Sequence, residues 1–329
     1  MSETSPLLIV IPCLNEEQYL RNVVEALLPM PPTVPVQIII TDGGSTDGTR
    51  RVATKLMELY PQIRWLDNPK RIQSAAVNLA VEKFGVRGGL FIRVDAHAGY
   101  PAHYCELLLS EIERTGADSV VVPMRTVGRG GFQNAVAAAQ NSRLGNGGSA
   151  HRNRAQQGRW VEHGHHAIMK VDAFREIGGY DETFTHNEDA ELDLRLRRKG
   201  YKIWLTAATS LIYYPRSTPF SLFSQYRQYG YGRARNLLKH NDKPKVRQML
   251  PLVVAPALLA TFLFPLSAIF ILPASLWAIL CLVYGVVLAV RERDPVIALS
   301  GFAAIIMHCA WSVGFWQGIF TGKDKRGTA

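Results

Sequence analysis

Acidic residues stand at three places where an apolar run stops or a helix starts. Asp42 follows the run VQIIIT and opens the turn Gly43-Gly44-Ser45-Thr46-Asp47. A carboxylate at a strand end can accept from a base N–H or a ribose hydroxyl, and glycines let backbone approach a nucleotide. The same residues also suit an Asx turn that caps the next helix. Asp95-Ala96-His97 follows the run LFIRV directly. Alternate positions at a strand end bring a carboxylate and an imidazole to one ligand, a pair that suits Mn²⁺; a strand-terminal Asp beside a surface His is the plainer alternative. Asn187-Glu188-Asp189 precedes Leu192, Leu194 and Leu196 at a helix start. A carboxylate there can take a proton from an acceptor hydroxyl, although acidic residues favour helix N-termini for dipole reasons alone. Arg233 and Arg235, after a Tyr/Gly-rich run, suit either a diphosphate or lipid headgroups. His163, His165 and His166 lie in VEHGHHAIM without the cysteine or HxxxH spacing that supports zinc.

These residues need a scaffold that brings strand ends together. Leu7–Ile11, Val36–Thr41, Ile63–Leu66, Leu90–Val94 and Asp118–Pro123 read as strands. Helices are expected over about 16–28, Thr49–Tyr60, Ile72–Phe84 and Pro101–Arg114. Alternation of this kind predicts a mostly parallel, doubly wound α/β sheet, whose ligands sit at the carboxyl ends of the strands. Asn15-Glu16, Asp42 and Asp95 all fall there. Gly128–Gly164 is glycine-rich and basic and reads as a mobile loop. A short strand over His166–Lys170 and a helix over Glu188–Lys199 follow.

The chain then changes character. Charged residues are 19% and hydrophobic ones 47% of 329, and the segment 251–320 is overwhelmingly apolar. Net charge is +10, with Arg216, Arg227, Arg233, Arg235, Lys239, Lys243, Lys245 and Arg247 crowded just before that block. A basic cluster in that place points to a membrane surface or a diphosphate, and argues against nucleic acid. Phe220–Leu238 mixes aromatics with arginines, as interfacial helices do. Leu252–Leu272 is of spanning length, Pro273 breaks the run, Ser275–Val290 continues it, and Val296–Phe320 is a third span or an interfacial helix. Tail residues Lys323, Lys325 and Arg326 would lie outside after three crossings, against the positive-inside tendency. Cys13, Cys105, Cys281 and Cys309 show no pairing pattern, so a reduced, cytosol-facing domain is expected. The start MSETSPLLIVIPCLNEE lacks a basic n-region and reads as a first strand.

The order IPCLNEE, TDGGSTDGT, RVDAHA and IGGYDETF–HNEDAEL resembles family 2 glycosyltransferases over residues 6–215. The resemblance implies a GT-A fold with a C-terminal α-helical membrane region: a catalytic domain over 1–215, interfacial basic helices over 216–250, and two to three membrane helices over 251–329. It places Pro12, Asn15, Glu16, Asp42, Gly44, Arg71 and Asp95 at the donor, and His97 with Asp95 at Mn²⁺ or Mg²⁺. Asp189 becomes the base, and Glu188, Arg233 and Arg235 face the acceptor or its diphosphate. His97 replaces the second aspartate of the usual DxD. The processive QxxRW signature is absent, since Gln225 precedes Tyr-Arg-Gln-Tyr, so a single sugar addition is expected.

Within the family the chain resembles glucosyltransferases of succinoglycan-type exopolysaccharide synthesis. That likeness implies UDP-glucose as donor, a polyprenyl-diphosphate-linked sugar as acceptor, and a β-1,3 product made by inversion. It also implies an inner-membrane location with the catalytic domain in the cytoplasm, among other enzymes of exopolysaccharide synthesis. The competing expectations are a polyprenyl-phosphate hexosyltransferase and a non-catalytic membrane assembly or transport component. Apolar spans without an intramembrane acid or a repeat argue against a transport path.

Overall fold

Strands Leu7–Cys13 (β1) and Val36–Asp42 (β2) are almost wholly buried, which is why each reads as an unbroken apolar run. They pair in parallel, Leu7 opposite Val36 and Cys13 opposite Asp42. The structure is a computed structural model and describes residues 6–28, 34–147, 157–244 and 246–323. Along the chain the other strands are β3 (Ile63–Asp67), β4 (Leu90–Arg93), β5 (Ser119–Val122), β6 (Met124–Thr126), β7 (Arg159–Val161), β8 (His165–Lys170), β9 (Ile203–Leu205) and β10 (Leu211–Tyr213). The helices are α1 (Leu20–Leu27), α2 (Thr49–Leu59), α3 (Gln73–Phe84), α4 (Tyr104–Thr115), α5 (Gly131–Asn141), α6 (Arg143–Asn146), α7 (Val171–Glu176), α8 (Glu188–Arg198), α9 (Pro219–His240), α10 (Val246–Ala260), α11 (Leu272–Glu292) and α12 (Leu299–Lys323). The chain forms two compact units: Met1–Arg125 with Asn153–Tyr213, and Thr126–Arg152 with Tyr214–Ala329.

The first unit holds an eight-stranded sheet in the order β3-β2-β1-β4-β8-β5-β9-β7. Its β3-β2-β1-β4 half is parallel, as the alternating sequence predicts. The other half is mixed: β5 pairs with β9 in parallel, whereas β8 runs antiparallel to both β4 and β5, and β7 antiparallel to β9. The cause is local. Helices α5 and α6, which precede β7 and β8, belong to the other unit, so no crossover helix on this sheet forces a parallel return. Because β8 is reversed, its first residue His165 lies at the same sheet edge as the end of β4.

The second unit is helical. The glycine-rich stretch read as a loop carries α5, whose Val136 and Ala139 pack with Leu222, Ala303 and Met307. Residues 148–156 of that stretch, Lys245, and Lys325 and Arg326 of the tail lie outside the described residues. Helices α9 and α12 approach backbone to backbone: a Cβ on Gly230 would lie 1.9 Å from the Trp311 carbonyl, and one on Gly314 1.8 Å from that of Arg227. The expected span over Leu252–Leu272 is corrected. Helix α10 ends at Ala260, and short 3-10 turns at Thr261–Leu263 and Ala268–Ile271 follow. Pro273 sits in the first turn of α11, where its missing N–H costs nothing.

Among the described residues two helical segments, Ala268–Glu292 and Pro295–Gly322, are long and apolar enough to cross a membrane. Inside α10, Pro256 has no N–H for the Leu252 carbonyl. That carbonyl instead accepts from Ser312 Oγ at 3.1 Å and Trp316 Nε1 at 2.9 Å on α12.

Candidate active site

The first two strand-end loops are tied together by side chains reaching backbone. Asn15 N donates to Ser45 Oγ, Glu16 N to Thr49 Oγ1 and Glu17 N to Asp47 Oδ2. In return Thr46 N donates to Asn15 Oδ1 and Gly48 N to Glu17 Oε2. Asp42 Oδ2 accepts from Gly44 N and Ser45 N at 2.9 Å, and Oδ1 accepts from Ser45 Oγ. The Asx turn is therefore present, and any contact of Asp42 with a ligand must use a remaining lone pair. Gly44 has φ +85°, and its open face meets the Arg71 guanidinium, whose Nη2 is 3.4 Å from where a Cβ would stand. Arg71 itself has φ 59°. Pro12 pairs opposite Thr41 one residue before the end of β1, beside these loops.

Asp95 follows β4. Its Oδ1 accepts from Gln73 Nε2 at 2.8 Å, and its Oδ2 lies 3.4 Å from His165 Nε2. Its N–H donates to Tyr100 Oη. Burial would raise the Asp95 pKa, but the charges of Arg93, His165 and His97 hold it at about 2. His97 is 56% exposed, and its Nδ1 lies 3.0 Å from Glu16 Oε1.

Behind Asp95 lies Arg93, 5% exposed in an otherwise apolar strand. Its Nη1 donates to Asp189 Oδ1 at 2.6 Å and to Tyr180 Oη at 3.1 Å, while its Nη2 is 3.6 Å from Asp95 Oδ1. Tyr180 Oη also donates to Asp189 Oδ1 at 2.9 Å. Asp189 therefore turns away from its helix. Asn187, with φ 63°, holds the N-cap position of α8. Burial would raise the Asp189 pKa, yet Arg93 outweighs it and keeps the carboxylate ionised. Neighbouring Glu188 goes the other way, pushed up to about 7 by burial and by the Asp189 charge.

The histidine cluster serves carboxylates. His165 joins Asp95, and burial pushes its pKa down to about 4. His163 Nδ1 lies 2.6 Å from Asp193 Oδ2, and His166 Nε2 lies 3.0 Å from Asp193 Oδ1. These contacts fasten α8 to β8 and so fix where Asp189 stands.

A divalent cation fits the donor set. Asp95 offers oxygen and His97 nitrogen, and Asp95, Asp189 and Glu188 all act on the single buried guanidinium of Arg93, leaving an excess of negative charge. Among the described residues no three His, Cys, Asp or Glu gather into a metal group. The rest of a coordination shell would fall to phosphate oxygens and water.

The first unit brings together the strand-end residues Asn15, Glu16, Asp42, Gly44 and Arg71, and in turn Asp95, His97 and Asp189. Arg233 and Arg235 lie half-buried on α9 of the second unit. Sequence reasoning missed Arg93, Gln73, Tyr180 and the role of His165. Arg93 carried a signal: a charge within an apolar strand, two residues before Asp95 and so on the same face. Gln73 and Tyr180 carried none.

Comparison with known proteins agrees with this architecture. A family model described as glycosyl transferase family 2 matches residues 8–178. The chain is 53% identical over 310 residues to the succinoglycan biosynthesis protein ExoA of Rhizobium meliloti (strain 1021), covering 94% of each chain. It is 26% identical over 332 residues to the dolichyl N-acetyl-alpha-D-glucosaminyl phosphate 3-beta-D-2,3-diacetamido-2,3-dideoxy-beta-D-glucuronosyltransferase of Methanococcus voltae, covering 96% of this chain and 98% of the other. Among solved structures, the mannosyltransferase PcManGT from Pyrobaculum calidifontis, in complex with GDP-Man and Mn²⁺, shares the GT-A fold at TM-score 0.58 and 16% identity, over 96% of this chain and 87% of that one. A strand-end site on such a sheet, a family model over more than half the chain and a relative matched almost end to end agree: this chain belongs to glycosyltransferase family 2.

Proposed function

We propose that the enzyme transfers glucose from UDP-glucose, with inversion and in β-1,3 linkage, to a polyprenyl-diphosphate-linked sugar during exopolysaccharide repeat-unit synthesis. One observation carries the reading: Asp189, the acceptor-side carboxylate, is held ionised 2.6 Å from the same guanidinium that lies 3.6 Å from the donor-side Asp95. A proton acceptor and a diphosphate-side carboxylate are thereby fixed together, as a direct displacement requires. Two relatives support the lipid-linked acceptor and the exopolysaccharide setting. One is named for succinoglycan biosynthesis, the other for 3-beta transfer to a dolichyl-phosphate-linked sugar.

In this reading Asp189 accepts the proton of the acceptor hydroxyl as that oxygen attacks the anomeric carbon from the face opposite the diphosphate. Asn15, Glu16, Asp42, Gly44 and Arg71 line the nucleotide side. Asp95 and His97 would hold Mn²⁺ or Mg²⁺, and the ion would supply positive charge for the departing diphosphate. Arg233 and Arg235 attend the acceptor diphosphate. The two apolar helical segments keep the enzyme in the inner membrane, with its catalytic unit in the cytoplasm.

The test incubates membranes containing the full chain with a panel of UDP-sugars and defined polyprenyl diphosphate sugars, then analyses the lipid product. A disaccharide on two phosphates is expected. A monosaccharide on one phosphate would mean a polyprenyl-phosphate hexosyltransferase, and UDP-sugar binding without turnover a non-catalytic component. Replacing Arg233 and Arg235 with glutamine should leave membrane attachment intact and reduce transfer on the order of tenfold. Undiminished transfer would remove them from the acceptor site.

A further inference from the structure

Arg93 has no counterpart in the reaction as described, yet it sits between the two carboxylates that reaction uses. Its side chain is 4% exposed, whereas those of Asp95 and Asp189 are 20% and 16% exposed. The guanidinium therefore lies behind both acids, on the protein side of the pocket. Nη1 serves Asp189 at 2.6 Å, and Nη2 faces Asp95 at 3.6 Å. Two neighbours complete the frame. Tyr180 Oη touches both Arg93 Nη1 and Asp189 Oδ1. His165 Nδ1 is 3.5 Å from Arg93 Nη2. A guanidinium only donates, so that nitrogen accepts, which places the ring proton on Nε2, facing Asp95 Oδ2 at 3.4 Å.

We propose that Arg93, braced by Tyr180 and His165, is a positioning residue that fixes the acceptor-side Asp189 against the donor-side Asp95, so that sugar and acceptor meet in one geometry. This rests on the reading of Asp189 as the base. A buried ion pair is weak evidence for stability, because desolvation offsets most of the attraction. What a rigid, planar fork does supply is direction: it sets two carboxylates at once, which a lysine's point charge does not. The anchoring is independent of α8's own backbone. Arg93 stands on β4 and His165 on β8, adjacent strands, and Tyr180 follows the Gly178-Gly179 turn. Three separate elements thus converge on one helix-borne carboxylate.

The experiment compares Arg93→Lys, Tyr180→Phe and Asp189→Asn in the full membrane enzyme. It measures kcat and KM with UDP-glucose and the polyprenyl diphosphate sugar that the panel above identifies as acceptor, UDP-glucose binding by calorimetry, and thermal melting. Misplacement of a reacting group by about 1 Å lowers the rate on the order of 10²-fold. Arg93→Lys should show a loss of that order in kcat, and Tyr180→Phe, which deletes one hydroxyl and keeps the packed ring, a loss of about tenfold. Donor binding in Tyr180→Phe should stay within about twofold of wild type, since its hydroxyl contacts Arg93 and Asp189, while in Arg93→Lys, which also faces Asp95, it should fall by less than kcat does. Lower melting temperature with unchanged kcat in both variants would make the cluster merely structural and overturn the proposal. If Asp189→Asn is inactive while both variants keep wild-type kcat, the base stands and Arg93 is not its positioner. If Asp189→Asn keeps wild-type turnover, the base reading falls and takes this proposal with it.

Discussion

His97 Nδ1 lies 3.0 Å from Glu16 Oε1, so the loop after the fourth strand is tied to the loop after the first by two groups that can each bind a cation. The pair belongs to the sheet edge where Asp95 also stands. If His97 is a metal ligand, His97→Ala should weaken Mn²⁺ binding in the presence of UDP by about 10- to 100-fold, and Glu16→Gln by less. The ring is 56% exposed, so the melting temperature should not change. Calorimetric titration of MnCl₂ reads both, and unaltered Mn²⁺ affinity in His97→Ala would show that the imidazole is a surface group.

Glu188 is pushed up to about 7 by burial and by Asp189. A carboxyl with a raised folded pKa binds more protons folded than unfolded, so its contribution to stability declines as pH rises from its ordinary range through that value. Glu188→Gln removes the decline. The variant should match wild type near pH 5 and exceed it by about 1–2 kcal/mol at pH 8 in denaturant unfolding. Equal stability at pH 8 would mean that the pair is not strained by its shared charge.

Asp193 has the opposite sign. Burial would raise its pKa, but His166 and a hydrogen bond from His163 hold it well below the carboxylate range. His166 in turn is lifted above its ordinary value, because the Asp193 charge outweighs burial. The carboxylate's contribution is present above its unfolded pKa and lost as pH falls. That of the imidazolium is present below its unfolded pKa and lost as pH rises through the folded value. Asp193→Asn should therefore cost about 3 kcal/mol near pH 6 and less at pH 8. A penalty independent of pH would leave only a packing role.

The parts of the site that were legible in sequence are those set by local pattern. Asp42, Asp95 and Glu188-Asp189 each follow or open a run whose period reveals a strand or a helix, so their place at one sheet edge follows from topology. Tyr180 and Gln73 were not legible, because what they touch is more than eight residues away in sequence and no period records it. The histidines were read in the light of metals, yet their partners are Asp95 and Asp193, supplied by other elements. Helix α5 was hidden by Gly128, Gly130 and Gly131, although Ala135–Ala139 is a good helical run stabilised by tertiary burial. The break in the apolar block was assigned to Pro273, which a helix tolerates in its first turn, while the 3-10 turns around Pro265 end the earlier helix instead.

In the reaction proposed above, Asp189 takes the proton of the acceptor hydroxyl. Asp189→Asn preserves the size and the contact with Tyr180 while removing the base. The decisive measurement is single-turnover transfer from UDP-glucose to the lipid-linked acceptor by this variant, with UDP-glucose affinity measured on the same preparation. The predicted result is unchanged donor affinity with a rate lower on the order of 10²- to 10⁴-fold. Transfer at the wild-type rate would contradict the account and leave Asp189 as a buried partner of Arg93 and nothing more.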